Sequence, residues 1–251
     1  MSYTANISKT HRNFLPGDFT LTNWESAEPY FKYLLERDIS TTESLQKFLQ
    51  DQSELEAAIS ENACWRQINM TCDTENKALE EAFNFYCMEM QPKIQPYSDA
   101  LNKKLIASPL LSELDKEKYF TYLRSVRKSI ELFREENIPL QAEMAVLQQQ
   151  FGQITGAMMI EVNGKEFTLQ QAGKFLENPD RGIREEVYRK IQERRQQDKQ
   201  ALNELFDKLI VLRNKQALNA GRNVWSEKPM ANTYKEGKKL MDLAREKKLR
   251  I

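Results

Sequence analysis

Apolar residues recur every three or four positions along most of this chain, which is the spacing of amphipathic α-helices. Residues 1 to about 20 lack that spacing and are predicted to lie extended along the body of the fold. A first helix is predicted from Asn23, whose side chain can cap it, and a second from an S-x-x-E capping box at Ser40 and Glu43. Ser53 is predicted to open a third helix.

The helical spacing continues to about residue 156, with polar and proline-containing interruptions. Another helical run is predicted after Asp73-Thr74. Prolines are predicted to divide the following section into short helices, at Pro92, Pro96 and Pro109. Two more helices are predicted over residues 116–135 and 139–156, separated by Asn137-Ile138-Pro139.

The strongest β signal lies between residues 158 and 168. Two short strand-like runs, Met158–Val162 and Lys165–Thr168, flank Asn163-Gly164. This dipeptide predicts a hairpin, because both residues of the tight turn need positive φ, which Asn and Gly adopt readily. After Asn178 a very long helical run is predicted to about Asn219, with a polar stretch at Glu193–Gln200 that lacks an apolar face.

The charge and the predicted secondary structure of the chain change at Gly221. Residues 222–251 carry nine basic and four acidic side chains, and their pattern predicts a strand at Asn223–Trp225, a helix from Thr233 to about Lys247, and a strand beginning at Leu249. The predicted fold class is therefore mainly α: a multi-helix body, one β-hairpin near 158–168, and a short strand-helix-strand appendix at the carboxy terminus. The predicted domains are residues 1–221 and 222–251.

Charge and composition exclude several classes of function. The chain has 37 basic and 37 acidic residues, which argues against a nucleic-acid partner bound through electrostatics. No apolar stretch approaches the roughly 18 residues of a membrane span. Three cysteines without C-x-x-C spacing indicate reduced thiols and a cytoplasmic location, at Cys64, Cys72 and Cys87.

His11 is the only histidine of the chain, so neither an H-E-x-x-H motif nor any zinc site with two imidazole ligands can be built from it. No catalytic and no metal-binding residue is therefore assigned. Carboxylate pairs such as Glu185-Glu186 are interpreted as solvated helix faces. Arg194 and Arg195, with Lys199, could bind a peptide carboxylate or a phosphate; an exposed helix face is the simpler interpretation.

Several short sequence segments that resemble one known family follow one another over nearly nine tenths of the chain. They are Phe14-Leu15-Pro16, Trp24-Glu25, Cys64–Thr71, Asn137–Leu140, Asn163–Leu169, Asp180–Glu185, Leu212-Arg213-Asn214 and Asn219-Ala220-Gly221. In order and spacing they resemble the amino-terminal half of oligoendopeptidase F-like zinc metallopeptidases, relatives of thimet oligopeptidase. The resemblance implies a helical shell around a channel for short peptides. The zinc of that family is held later in the sequence, by an H-E-x-x-H motif and a further glutamate, so no cofactor is expected in this chain.

A second resemblance begins at about Ala217. Residues 217–231 read A-L-N-A-G-R-N-V-W-S-E-K-P-M-A, which resembles the E-K-P segment of the glucose–fructose oxidoreductase and inositol dehydrogenase family. That resemblance implies that Lys228 lies beside a nicotinamide cofactor. However, the chain contains no G-x-G-x-x-G turn to hold the phosphates of a dinucleotide, so Lys228 is expected to be non-functional.

Together these features predict the non-catalytic half of a metallopeptidase, truncated or joined to an unrelated segment near Gly221 and inactive alone. Short peptides are the expected ligands. Self-association is expected through apolar surface that the absent half would otherwise cover. A helical protein-interaction module is the alternative, and an NAD(P)-dependent oxidoreductase related through residues 217–251 is the third interpretation.

Overall fold

The computed structural model describes residues 11–222 and 234–246, and it is mainly α-helical with one hairpin, as the sequence predicts. The α-helices are α1 (Trp24–Glu36), α2 (Thr42–Cys72), α3 (Lys77–Phe85), α4 (Gln91–Ala107), α5 (Lys116–Leu132), α6 (Asn137–Gly156), α7 (Leu169–Ala172), α8 (Arg181–Gln197), α9 (Lys199–Asn219) and α10 (Tyr234–Glu246). The strands are β1 (Met159–Val162) and β2 (Lys165–Thr168). Short 3₁₀ segments cover Pro109–Glu113 and Gly173–Glu177.

The amino-terminal ends of α1 and α2 are closed by capping boxes. Asn23 caps α1 as predicted, since its side chain accepts from the Ser26 backbone N–H. The prediction of a box at Ser40 and Glu43 was wrong by one residue, because Thr41 caps α2 and exchanges hydrogen bonds with Ser44. The Ser44 side chain, at the third helical position, takes the place of the Glu or Gln that is usual in a capping box.

Three of the predicted interruptions, at Ser53, Pro92 and Pro96, are absent from the helices. Ser53 does not open a helix, because α2 runs unbroken through it to Cys72. Pro92 and Pro96 do not divide the following section either, since both lie within α4. The helix widens into a π turn at Tyr86–Met90, just before α4 begins. Pro92 therefore lies in the first turn of α4, where its missing backbone N–H costs little stability.

Two other boundaries differ from the prediction. Asn137-Ile138-Pro139 does not separate helices but forms the first turn of α6. The long run after Asn178 is divided into α8 and α9 at Asp198, which leaves the helical region at φ −98° and ψ 6°. The interruption falls in the polar stretch Glu193–Gln200, where no apolar face holds a continuous helix against the body.

The hairpin forms as predicted. Asn163 and Gly164 have φ of 54° and 75°, and the antiparallel register places Met159 opposite Thr168 and Val162 opposite Lys165. Ile160 and Val162 point to one face and are buried, as the two-residue period of a strand requires. That buried face packs on α8, so the hairpin covers one side of this helix.

Three groups of buried side chains hold the body together. The largest lies among α1, α2, α4 and α5 and includes Leu15 and Leu21 of residues 11–22, called the arm below. This confirms that residues 11–20 lie along the body, but bends and a turn interrupt the predicted extended conformation there. The second joins the hairpin, α7 and α8. The third lies between α6 and α9. Near the carboxy terminus α10 confirms the predicted helix, whereas the two predicted tail strands lie outside the described residues.

Within the part of the chain that the structure describes, no helix combines the length and the apolar character that crossing a lipid bilayer requires.

Candidate functional site

The candidate chemical residues of the sequence are scattered over the fold. His11 is exposed in the arm, Cys64 and Cys72 are exposed on α2, and Cys87 is buried in the π turn. Burial raises the pKa of the Cys87 thiol to about 11, which favours the protonated thiol over the nucleophilic thiolate near neutral pH. Lys228 lies outside the described residues.

The described residues do not fit a zinc ion. No group of three or more His, Cys, Asp or Glu side chains within residues 11–222 and 234–246 has the arrangement of a metal site. Glu185 and Glu186, one of the carboxylate pairs, are engaged in exposed ion pairs one turn along α8, with Arg189 and Lys190. The donor set that catalytic zinc requires, nitrogen and carboxylate ligands around an open position, is therefore not assembled by this part of the chain.

An open cleft of about 330 Å³ lies where the end of α6 meets α7 and α8. Met158 and Leu169 are buried and form its apolar base, and the half-exposed Phe151 ring forms a wall. The Thr155 side chain also lines the cleft, but its hydroxyl donates to the Phe151 and Gly152 carbonyls. Two further side chains bring polar groups to its edge, Gln170 from α7 and Arg195 from α8.

The neighbouring arginines of α8 have different environments. Arg194 forms an ion pair with Asp198 and donates to the Ala157 carbonyl at 3.5 Å, which ties the end of α8 to the segment before β1. Arg195 lines the cleft and is exposed, and its side chain makes no hydrogen bond or ion pair with any residue that the structure describes. Lys199, the third basic residue of this group, is exposed and is not part of the cleft lining.

The five other cleft residues were not identified from the sequence. They come from three separate segments, and only the hairpin brings Met158 next to Leu169. One sequence signal concerns Arg195: Asp198, which directly follows α8, is the only acidic residue three or four positions away in the sequence. In the structure Arg194 engages this carboxylate. An arginine without a helical counter-ion is available to an external anion.

The arm and α2 are joined by a second polar arrangement. The Glu54 carboxylate accepts the backbone N–H groups of Asn13, Phe14 and Leu15 at 2.9, 3.0 and 2.8 Å. Burial alone would raise the pKa of Glu54, but the three donors, from Leu15, Asn13 and Phe14, outweigh that effect and the pKa is lowered. The arrangement fastens the arm rather than forming a reactive site.

Replacing Glu54 by Gln is expected to cost about 1 kcal/mol of unfolding free energy at pH 7, because the N–H donors lose a charged acceptor. Since the folded pKa lies below the ordinary 4.5, the carboxylate contributes its stability above that value and loses it as pH falls through the folded pKa. Urea unfolding at pH 7 and pH 3 measures both effects. Glu61→Gln, which alters an exposed carboxylate of the same helix, is the control. Equal losses for the two variants at pH 7 would contradict the assignment.

Some residues of the segments that resemble the peptidase family form contacts between the helices. Asn137 is buried and donates to the Gln216 carbonyl at 3.1 Å, while the Asn219 amide donates to Asn137 at 2.8 Å. Arg66 donates to Asn62 on α2, to Ala82 on α3 and to Leu21 of the arm. Side chains in these segments therefore hold neighbouring helices together through hydrogen bonds.

Two families match the sequence in different regions. Residues 14–133 match the model of the peptidase M3 N-terminal domain, which is somewhat less than half of the chain. Residues 213–251 match the model of an oxidoreductase family with an NAD-binding Rossmann fold. None of the curated proteins matches the chain in sequence. Both resemblances stated from the sequence are thus present.

Solved structures share the fold of the body. A protein from Bacillus anthracis strain Ames, assigned as an oligoendopeptidase F, has a TM-score of 0.77 at 19% identity, over 91% of this chain and 44% of its own. PZ peptidase A, solved with an inhibitor, has a TM-score of 0.76 at 19% identity, over 93% and 43%. A further structure assigned as an oligoendopeptidase F gives 0.75 at 19% identity, over 82% and 37%. The chain spans less than half the length of each, and at this identity the likeness shows the fold alone.

Proposed function

We propose that residues 1–221 are the non-catalytic, helical half of an oligoendopeptidase F-like metallopeptidase and form part of the wall of its peptide channel. The observation that supports this most directly is the shared fold: over four fifths of this chain superposes on less than half of each solved relative. The match to the peptidase M3 N-terminal domain lies within the same region. Short peptides are the ligands that this role implies.

Hydrolysis by these residues alone is not expected. Zinc, where a metallopeptidase holds it with two imidazoles, lowers the pKa of a bound water and polarises the peptide carbonyl. The single histidine of this sequence cannot supply such a ligand pair. The described residues contain no substitute cluster of carboxylates and thiols.

The purified chain, incubated with zinc and exchanged into metal-free buffer, tests this proposal. We expect less than one tightly bound zinc ion per chain by atomic emission, and no cleavage of an internally quenched fluorescent peptide. A solved relative with its metal provides the positive control for the substrate. Metal-dependent cleavage by this chain, lost on addition of a chelator, would contradict the proposal.

We further propose that residues 222–251 form a separate, oxidoreductase-derived segment joined to the helical half near Gly221. The two matching models occupy different parts of the chain and describe unrelated folds. At the join, Arg222 pairs with Glu131 on α5, where the peptidase resemblance leads us to expect an aromatic residue. Without a dinucleotide turn Lys228 has no cofactor to contact, and titration with NAD is expected to leave tryptophan fluorescence unchanged. A source locus that continues from Gly221 into H-E-x-x-H would refute the join.

A helical interaction module is the second candidate function, and the outward side of α9 favours it. Four large apolar side chains there are about half exposed or more, opposite the face that packs on α6: Phe206, Ile210, Val211 and Leu218. We propose that this side promotes self-association, with a second copy as partner. Light scattering is expected to show species larger than a monomer, which a Phe206→Ser, Ile210→Ser variant reduces. A monomer across concentrations would exclude self-association.

A cytoplasmic location is the remaining part of the proposal. Two thiols exposed to solvent and without disulfide partners, Cys64 and Cys72, are typical of a protein kept in a reducing compartment.

A further inference from the structure

We infer that the cleft between α6, α7 and α8 is a binding site for the carboxy terminus of a short peptide that ends in an apolar residue. This assignment deepens the proposed function, on which it rests for the peptide as ligand class. The site combines one available cation with an apolar base, which are the two features that a terminal carboxylate and its adjacent apolar side chain require.

The cation of this site is the Arg195 guanidinium. Arg195 lines the cleft and has no acidic partner among the described residues, while Arg194 beside it already pairs with Asp198. An arginine guanidinium in this state binds a carboxylate through two parallel hydrogen bonds, and the Gln170 side chain, which also lines the cleft, can donate a third.

The apolar base of the site is formed by Met158 and Leu169. Met158 and Leu169 are 3% and 9% exposed, and both belong to the packed group under the hairpin, so the base is rigid before a ligand arrives. The Phe151 ring, 51% exposed, stands free to cover an apolar side chain placed on that base. The cleft volume of about 330 Å³ lies at the small end of known ligand sites, which suits one terminal residue rather than a folded partner.

A titration with two probe peptides tests the inference. N-acetyl-Ala-Phe with a free carboxylate is compared with its carboxamide, which has the same apolar groups and no terminal charge. We expect the carboxylate form to bind about five- to tenfold more tightly, with amide shifts in ¹⁵N NMR spectra confined to the residues of the cleft.

Matched variants separate the contributions. Arg195→Gln is expected to remove the preference for the carboxylate, whereas Lys199→Gln, which removes the same charge outside the cleft, is expected to keep it. Phe151→Ala is expected to weaken both peptides by about fivefold or more, because the apolar wall is lost. Phe120→Ala, which truncates an exposed ring on α5 far along the chain, is the control for that variant. All four positions are exposed, so the variants are expected to fold.

The outcomes distinguish this inference from the proposed function. Equal binding of the two peptides, an unchanged preference in Arg195→Gln, or shifts that map outside the cleft would each overturn the site and leave the metallopeptidase-half proposal standing. Zinc-dependent hydrolysis by the chain would overturn that proposal and leave the carboxylate site intact.

Discussion

Replacing Phe31 by Ala is expected to lower the free energy of unfolding by about 3–5 kcal/mol, the largest effect of any single substitution considered for this chain. Phe31 is fully buried on α1. Its ring lies 5.7 Å from the Trp24 ring and 5.8 Å from the Tyr97 ring, which belongs to α4. The substitution removes these ring contacts and leaves a cavity where α1 meets α4, because the surrounding helices cannot close it fully.

Urea unfolding followed by circular dichroism measures the loss. Phe120→Ala is the matched control, since that ring is 63% exposed on α5 and its removal is expected to cost less than about 0.5 kcal/mol. Phe31→Leu provides a second measurement if the Ala variant is not recovered folded, with an expected loss of about 1–2 kcal/mol. A loss below about 1 kcal/mol for Phe31→Ala would show that the α1–α4 contact is not part of the core.

The elements that were predicted correctly depend on local signals. The hairpin forms because Asn163 and Gly164 adopt positive φ, and that requirement is visible in two adjacent residues. The cap at Asn23 is equally local, since donor and acceptor are three residues apart. Such features do not depend on where the rest of the chain lies, so a single sequence contains the information they need.

The incorrect boundaries depend on contacts between distant segments. Ser53 is followed by Glu54, which resembles a helix start; in the folded chain Glu54 instead receives the arm from about forty residues away, within an unbroken α2. Pro92 resembles a helix break, but it follows a π turn and lies in the first turn of α4, where a proline is tolerated. Whether the helix ends or continues at such a position depends on tertiary packing, which a local sequence motif does not indicate.

The candidate site could be predicted only in part for the same reason. The basic group at Arg194, Arg195 and Lys199 is visible in the sequence, but the three side chains are equivalent there. The structure separates them by their surroundings, since Asp198 engages Arg194 and the ends of α6 and α7 form a cleft beside Arg195. The oligoendopeptidase F resemblance was accessible from the sequence because it lies in short segments, and some of their residues join helices in this chain, such as Asn137 with Asn219.

Replacing Asp51 by Ala is expected to cost about 3 kcal/mol, because the change leaves a cation partly buried without its counter-ion. The Asp51 carboxylate is 2% exposed and lies 2.8 Å from Arg37 and 2.7 Å from Lys47. Lys47 is half exposed and can be solvated, whereas the Arg37 side chain is only 16% exposed. The Arg37 guanidinium also lies over the Tyr33 and Phe14 rings, at 4.9 and 5.6 Å from their centres, so its displacement loosens the arm as well.

A double variant shows whether the cost comes from the unpaired charge or from lost packing. Asp51→Leu with Arg37→Met removes both charges and keeps apolar volume, and we expect it to recover most of the stability that Asp51→Ala loses. Lys47→Met, which removes the solvated partner, is expected to cost less than about 1 kcal/mol. The Arg37 Nη1 group approaches Asp51 closely but is not aligned for a hydrogen bond, so attraction between the charges is the main interaction. If the double variant is no more stable than Asp51→Ala in urea unfolding, the loss comes from packing around α2 and the electrostatic explanation is wrong.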